Sequence, residues 1–258
     1  FSSLTFLYLF LPLAVIPYFL WKNRVYRNTL LLILSLLFYA WGEPKYVVMM
    51  LAATVVAYLG GRGMAALDQR PGAKRAVFAV TVCLVVLNLL VFKYLNFFWD
   101  NLSRLFSGDW TIPQIALPIG ISFYTFQILS YVIDVYRGDV TAQRNLIDLA
   151  AYVAMFPQLI AGPIVRYADI APQLKHRTHT LADAAYGARR FILGLSKKVL
   201  LANVLYELIS AYKSAANVSV LFVWLYAAAY VLHLYFDFSG YSDMAIGLGR
   251  IFGFHFIE

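Results

Sequence analysis

His233, Asp237, Ser239, Tyr241 and Asp243 interrupt an otherwise apolar stretch, LHLYFDFSGYSDMAIGLGRIFGFHFIE, at residues 232–258. His233, Asp237 and Tyr241 recur every fourth residue, so a helix places them on one face and Ser239 and Asp243 on another. Polar groups held at membrane depth are costly and usually functional. An imidazole one turn from a carboxylate is a base with an orienting partner, and the same pair can equally clamp two helices by hydrogen bonds. Either use requires water, protein or substrate beside that face. Of the other histidines, His176 and His179 lie in the basic loop KHRTHT, read as solvated, with metal or headgroup binding as the alternative. His255, among phenylalanines, points to nothing specific.

The elements that must carry these groups are set by composition. Hydrophobic residues make up 62% of the 258-residue chain and charged residues 13%, where soluble domains average about 25% charged. With a mean hydropathy of +0.71, the chain reads as an integral membrane protein. The 17% of aromatic residues fits interface belts and rings packed between helices. A single cysteine, Cys83, lies in an apolar helix and excludes disulfide and cysteine-metal frameworks. The net charge of +8 sits in short loops between apolar runs. It therefore sets topology and meets anionic headgroups, and does not form a nucleic-acid surface. The first apolar run lacks the basic flank and cleavage site of a signal peptide, so Phe1 is expected just inside a natural start.

Apolar runs at 4–21, 29–41, 46–60 and 76–92 read as spans, followed by 112–134 with an irregular start at Pro113, Pro118 and Gly120. Lys22, Arg24 and Arg27, then Arg62, Arg70, Lys74 and Arg75, mark cytoplasmic loops and put the N-terminus outside. The run 146–162 has basic flanks on both sides, so it cannot simply cross. A re-entrant or surface segment broken at Pro157 and Gly162-Pro163 resolves the conflict and implies a cavity wall. Residues 182–198 read as an interfacial helix whose Arg189, Arg190, Lys197 and Lys198 reach headgroups, and 199–211 as a short apolar element. Two further apolar pieces, 218–236 and 244–257, flank the opening motif. The fold class is all-α, a polytopic membrane helix bundle of eight to nine helices. No glycine-rich phosphate loop, His-Glu-x-x-His pair or nucleophile elbow is present, and no metal site is expected.

Five longer strings carry a resemblance. YAW at 39–41, LPIGISFYTFQ at 117–127, SYVIDVYRG at 130–138, FPQLIAGP at 156–163 and YFDFSGYSDMAIG at 235–247 resemble the membrane-bound O-acyltransferases, in the bacterial branch of the alginate O-acetylase, nearly from end to end. The resemblance implies broken or re-entrant helices around a central funnel or tunnel in the inner membrane. It implies a cytoplasmic thioester donor, acetyl-coenzyme A or an acyl carrier protein, and no bound cofactor. The acyl group would leave toward an exported polysaccharide or a periplasmic acyl-accepting or acetyltransferase partner. It further implies that residues 1–258 are one membrane domain, the N-terminal half of a longer core. The family's catalytic histidines match none of the four here and are expected beyond Glu258, with His233 the fallback base. Gln158, Arg166, Asp237, Ser239, Tyr241 and Asp243 are the expected tunnel-lining residues.

Two other classes compete with the acyltransferase. Intramembrane Asp and His on broken helices also suit a transporter or channel, although the chain shows no convincing internal repeat. A non-catalytic membrane scaffold would keep the packing motifs without transfer.

Overall fold

A computed structural model describes residues 1–105, 115–159, 165–214 and 219–256. Among these residues the ordered elements are helices, with no strand. A π-helical turn, Phe6–Phe10, leads into α1 (Leu11–Leu20). There follow α2 (Arg24–Gly42), α3 (Val47–Ala66), α4 (Pro71–Leu105), α5 (Ile121–Arg137), α6 (Leu146–Ala154) and α7 (Tyr167–Lys175). Then come α8 (Leu181–Ser196), a second π-helical stretch (Lys197–Ala202), α9 (Asn203–Ser214) and α10 (Val220–Ile251). Asn23, Asn145, Thr180 and Ser219 accept the first unpaired amide protons of α2, α6, α8 and α10, as N-cap residues do. Gly138, at φ 85°, closes α5 in the left-handed conformation that glycine adopts without a Cβ clash.

Four helices, α2, α3, α4 and α10, are long and apolar enough to cross a membrane. The chain is a multi-pass membrane protein. At 1.5 Å per residue, α4 is about 50 Å long and runs well beyond the apolar run at 76–92, to Leu105. Conversely, α5 begins only at Ile121, because Pro118 and Gly120 stop the run before it. Residues 167–175, in the basic flank that follows the 146–162 run, form α7.

The described residues group into two compact units. In the first, α2 to α7, two buried side chains of α2 locate the α6 segment. Asn28 Nδ2 donates to Asp148 Oδ1 at 2.7 Å and to the Leu174 carbonyl at 3.1 Å. Ser35 Oγ, two turns later, accepts from the Phe156 amide at 3.1 Å. At nine residues, α6 is too short to cross, in accord with a broken segment. Pro157 disfavours helical backbone at Phe156 and ends it. Gly162-Pro163 lies outside the described residues.

The second unit contains α1 and α8 to α10. Here α8 and α10 run antiparallel, with Gly187 and Gly194 against Gly247 and Gly240. A Cβ added at Gly187 would lie 2.5 Å from the Gly247 carbonyl oxygen, one at Gly194 2.5 Å from that of Gly240, and one at Gly247 2.5 Å from that of Gly187. Backbone therefore packs on backbone, as small residues allow in membranes. The contact also explains why α10 is a single helix where sequence suggests pieces on either side of 237–243: Gly240 faces a neighbouring backbone, and the carboxylates around it are ion-paired. Tyr18 of α1 reaches the end of α10, its hydroxyl donating to the Phe252 carbonyl at 2.7 Å.

Gly247→Val should push α8 off α10 and destabilise the full-length protein by about 3 kcal/mol. Gly72→Ala, whose new methyl meets nothing within 4 Å, should not. Denaturation curves in detergent measure both. Equal stability of the two variants would mean that the helices do not touch through these glycines.

Candidate functional site

The polar residues of α10 meet the cations of α8 and the π-helical stretch in one antiparallel register. Asp243 accepts from Arg190 Nε at 2.7 Å and from Lys197 Nζ at 2.6 Å. Lys197 also donates to Ser239 Oγ at 2.9 Å. Lys198 pairs with Asp237 Oδ1, and one turn on, His233 Nδ1 lies 2.8 Å from the Ala202 carbonyl. A carbonyl only accepts, so Nδ1 donates its proton in this bond. Tyr241 stacks on Phe1, ring centroids 4.7 Å apart.

The two faces expected from the spacing do not meet separate partners, since His233, Asp237, Ser239 and Asp243 all reach the α8 and π-helical segment. Nor do His233 and Asp237 pair, since Asp237 is taken by Lys198 and His233 bonds to the backbone. The π-helical stretch makes this arrangement possible. Its wider turn lets consecutive residues, Lys197 and Lys198, both reach α10 and brings the Ala202 carbonyl to His233. Charge pairing in turn keeps the part-buried carboxylates from being left alone in an apolar setting, which would cost several kcal/mol each, on the order of 3–5.

Gln158 and Arg166 belong to the other unit. Gln158 is buried in the turn after α6, where Nε2 donates to the Tyr152 carbonyl at 3.0 Å and satisfies a helix end. Its Oε1 is buried without a hydrogen bond among the described residues. Arg166 lies 3.3 Å from Asp134, a buried carboxylate of α5, and is itself 60% exposed. The six candidate side chains and His233 therefore form two sets, one in each compact unit.

Three cations read as headgroup-facing, Arg190, Lys197 and Lys198, are in ion pairs. The signal that could have found them is the seven-residue glycine repeat, 187/194 and 240/247, which sets the approach and register of the two helices. Asp134 lies in the SYVIDVYRG string, and its partner Arg166 is 32 residues away. His179, read as solvated, packs on Tyr18, with Nε2 3.0 Å from the hydroxyl. His255 lies 3.7 Å from Asp183, which Arg250 also approaches at 3.4 Å. The Thr180 hydroxyl bond, at the start of α8, holds the Asp183 carboxyl below its ordinary range. Among the described residues, no three His, Cys, Asp or Glu side chains converge as a metal site.

Residues 140–257 match the MBOAT, membrane-bound O-acyltransferase family, a segment that contains every ion pair just described on α8 and α10. Over its full length the chain is 47% identical to the Pseudomonas aeruginosa protein named "Probable alginate O-acetylase AlgI", of which it covers 50%. It is 30% identical over 98% of its length to the "Peptidoglycan O-acetyltransferase" of Helicobacter pylori, covering 54% of that protein. A "Teichoic acid D-alanyltransferase" of Bacillus subtilis is 27% identical over 52% of the chain, which covers 35% of that protein. The chain spans about half the length of the first two relatives.

Asp243→Asn in the full-length protein should cost about 3 kcal/mol, because two cations lose their shared carboxylate. Adding Lys197→Met should recover part of that loss, a coupling of about 1–2 kcal/mol. A double-mutant cycle of melting curves reads it directly, and strictly additive losses would rule out the pairing.

Proposed function

Because this chain belongs to the membrane-bound O-acyltransferase family, we propose that it forms the N-terminal half of an inner-membrane O-acetyltransferase that modifies an exported polysaccharide. The donor in this reading is acetyl-coenzyme A, presented from the cytoplasm, with an acyl carrier protein as the other thioester source. A base removes the proton of the acceptor hydroxyl, the oxygen attacks the thioester carbonyl, and the C–S bond breaks as the ester C–O bond forms. The thiolate then leaves and takes up a proton. The acceptor hydroxyl belongs either to the polysaccharide or to a serine of a periplasmic partner that completes the transfer. The N-terminus lies on the extracytoplasmic side, which keeps the Lys- and Arg-rich loops inside.

The observation that carries this reading is the pairing of Asp237 within the segment matched to the family. Lys198 holds Oδ1 and leaves Oδ2 to orient a histidine supplied from beyond Glu258. Such an outer carboxylate fixes the ring of a base and raises its basicity. In this reading Asp237 and Tyr241 are tunnel-lining residues of α10, and Gln158 and Arg166 have that role within their own unit. Ser239 and Asp243 keep their place in the tunnel by holding α8 in register. His233, fixed to the Ala202 carbonyl, is a clamp and not the base. The glycine contact between α8 and α10 also speaks against a transporter in which these two helices rock past each other, since backbone packed on backbone leaves no room to slide.

The test uses the full-length protein in native membranes, with isotope-labelled acetyl-coenzyme A and the exported polysaccharide. Asp237→Asn should preserve the amount of folded protein and lower transfer by about 10–100-fold, the usual cost of losing an orienting partner. His233→Gln should lower the melting temperature and leave transfer near that of the unaltered protein. If the unaltered protein passes no acetyl group from either thioester donor, the reading fails.

A further inference from the structure

A groove of about 480 Å³ opens along α8 and the π-helical stretch, lined by Arg190, Leu193, Ser196, Lys197, Leu200, Leu201 and Asp243. Among the described residues that line it, the polar end holds two cations and one carboxylate, a surplus of one positive charge. Its walls are leucines that stay exposed, Leu200 at 66% and Leu193 at 51%. Leu193, Leu200 and Leu201 find no core to enter within this unit, yet they flank a charge pair that is itself only partly covered, with Lys197 at 35% and Arg190 at 26% side-chain exposure. A surplus cation beside an apolar channel calls for an occupant that is anionic at one end and aliphatic along the rest.

We propose that this groove is a specific binding site for one anionic phospholipid of the surrounding bilayer. The phosphate sits against Lys197 and Arg190, and the upper part of an acyl chain lies along Leu193, Leu200 and Leu201. Basic pockets between helices at the cytoplasmic interface select anionic headgroups by this chemistry. A zwitterionic phospholipid brings its own cation to the same place and gains less from the surplus charge. The lipid would complete the wall that α8 and α10 leave open, and it would screen the Asp243 ion pairs from water. The proposal does not depend on acetyl transfer, and it stands or falls on lipid retention alone.

The experiment reconstitutes the full-length protein into nanodiscs of phosphatidylcholine mixed equally with phosphatidylglycerol, releases it gently, and counts retained lipids by native mass spectrometry. The unaltered protein should keep one phosphatidylglycerol in preference to phosphatidylcholine. Lys197→Gln should weaken that retention about fivefold, the effect of one interfacial charge. Because Lys197 also pairs with Asp243, a second variant leaves the ion pairs intact: Leu200→Glu places a negative charge on the exposed rim and should release the lipid with little change in melting temperature. Phosphatidylglycerol retained equally by the unaltered protein and by Leu200→Glu overturns the proposal, as does an absence of preference between the two lipids. Displacement of the phosphatidylglycerol by added acetyl-coenzyme A also overturns it, since the groove would then belong to the donor.

Discussion

The backbone contact between α8 and α10 is the constraint on which the site depends. Four glycines at seven-residue spacing let two helices touch without side chains between them, and at that separation Arg190, Lys197 and Lys198 reach carboxylates one helix away. Were the helices spaced by leucines, at the usual 8–10 Å between axes or more, the same charges would have to bend toward the headgroups. Apolar packing supplies little selectivity between helices in lipid, because the tails are as apolar as the side chains. Close approach plus ion pairing supplies the register instead.

A different device serves the unit of α2 to α7. There a short helix is ended by Pro157 and fastened by polar side chains of α2, Asn28 to Asp148 and Ser35 to the Phe156 amide. Irregular backbone at membrane depth survives only where protein satisfies it, and Gln158 does so by capping the Tyr152 carbonyl. The two units thus use opposite means to hold polar groups in an apolar chain: close glycine packing in one, and buried amide and hydroxyl partners in the other. Each of these carboxylates finds a cation nearby, Arg166 for Asp134 and the lysines for Asp237 and Asp243.

Much of this was legible from residue order. The apolar runs located the long helices, and Pro157 located the break in the α6 segment. The four-residue spacing sets His233, Asp237 and Tyr241 apart from Ser239 and Asp243, yet His233, Asp237, Ser239 and Asp243 all meet the α8 and π-helical segment. What was hidden was pairing. The residues that complete the site on α8 lie about 40–50 positions from their partners on α10, and periodicity within one helix carries no information about which face another helix will meet. A π-helical stretch adds to the difficulty, since it changes the turn at which Lys197 and Lys198 project, and local composition does not announce it. Asp237 therefore looked like a companion of His233, which is near in sequence, when its companion is Lys198, which is near in space.

In the proposed function Lys198 holds Asp237 in place for a role in transfer that no other group performs. Exchanging the two charges, Lys198→Asp together with Asp237→Lys, separates holding from doing. In the full-length protein each single change should lower the melting temperature, and the exchange should restore it by re-forming the pair in reverse. Acetyl transfer should stay low in the exchanged protein, because the carboxylate has moved to the other helix. Recovery of transfer together with stability would contradict the account and reduce Asp237 to one half of a clamp.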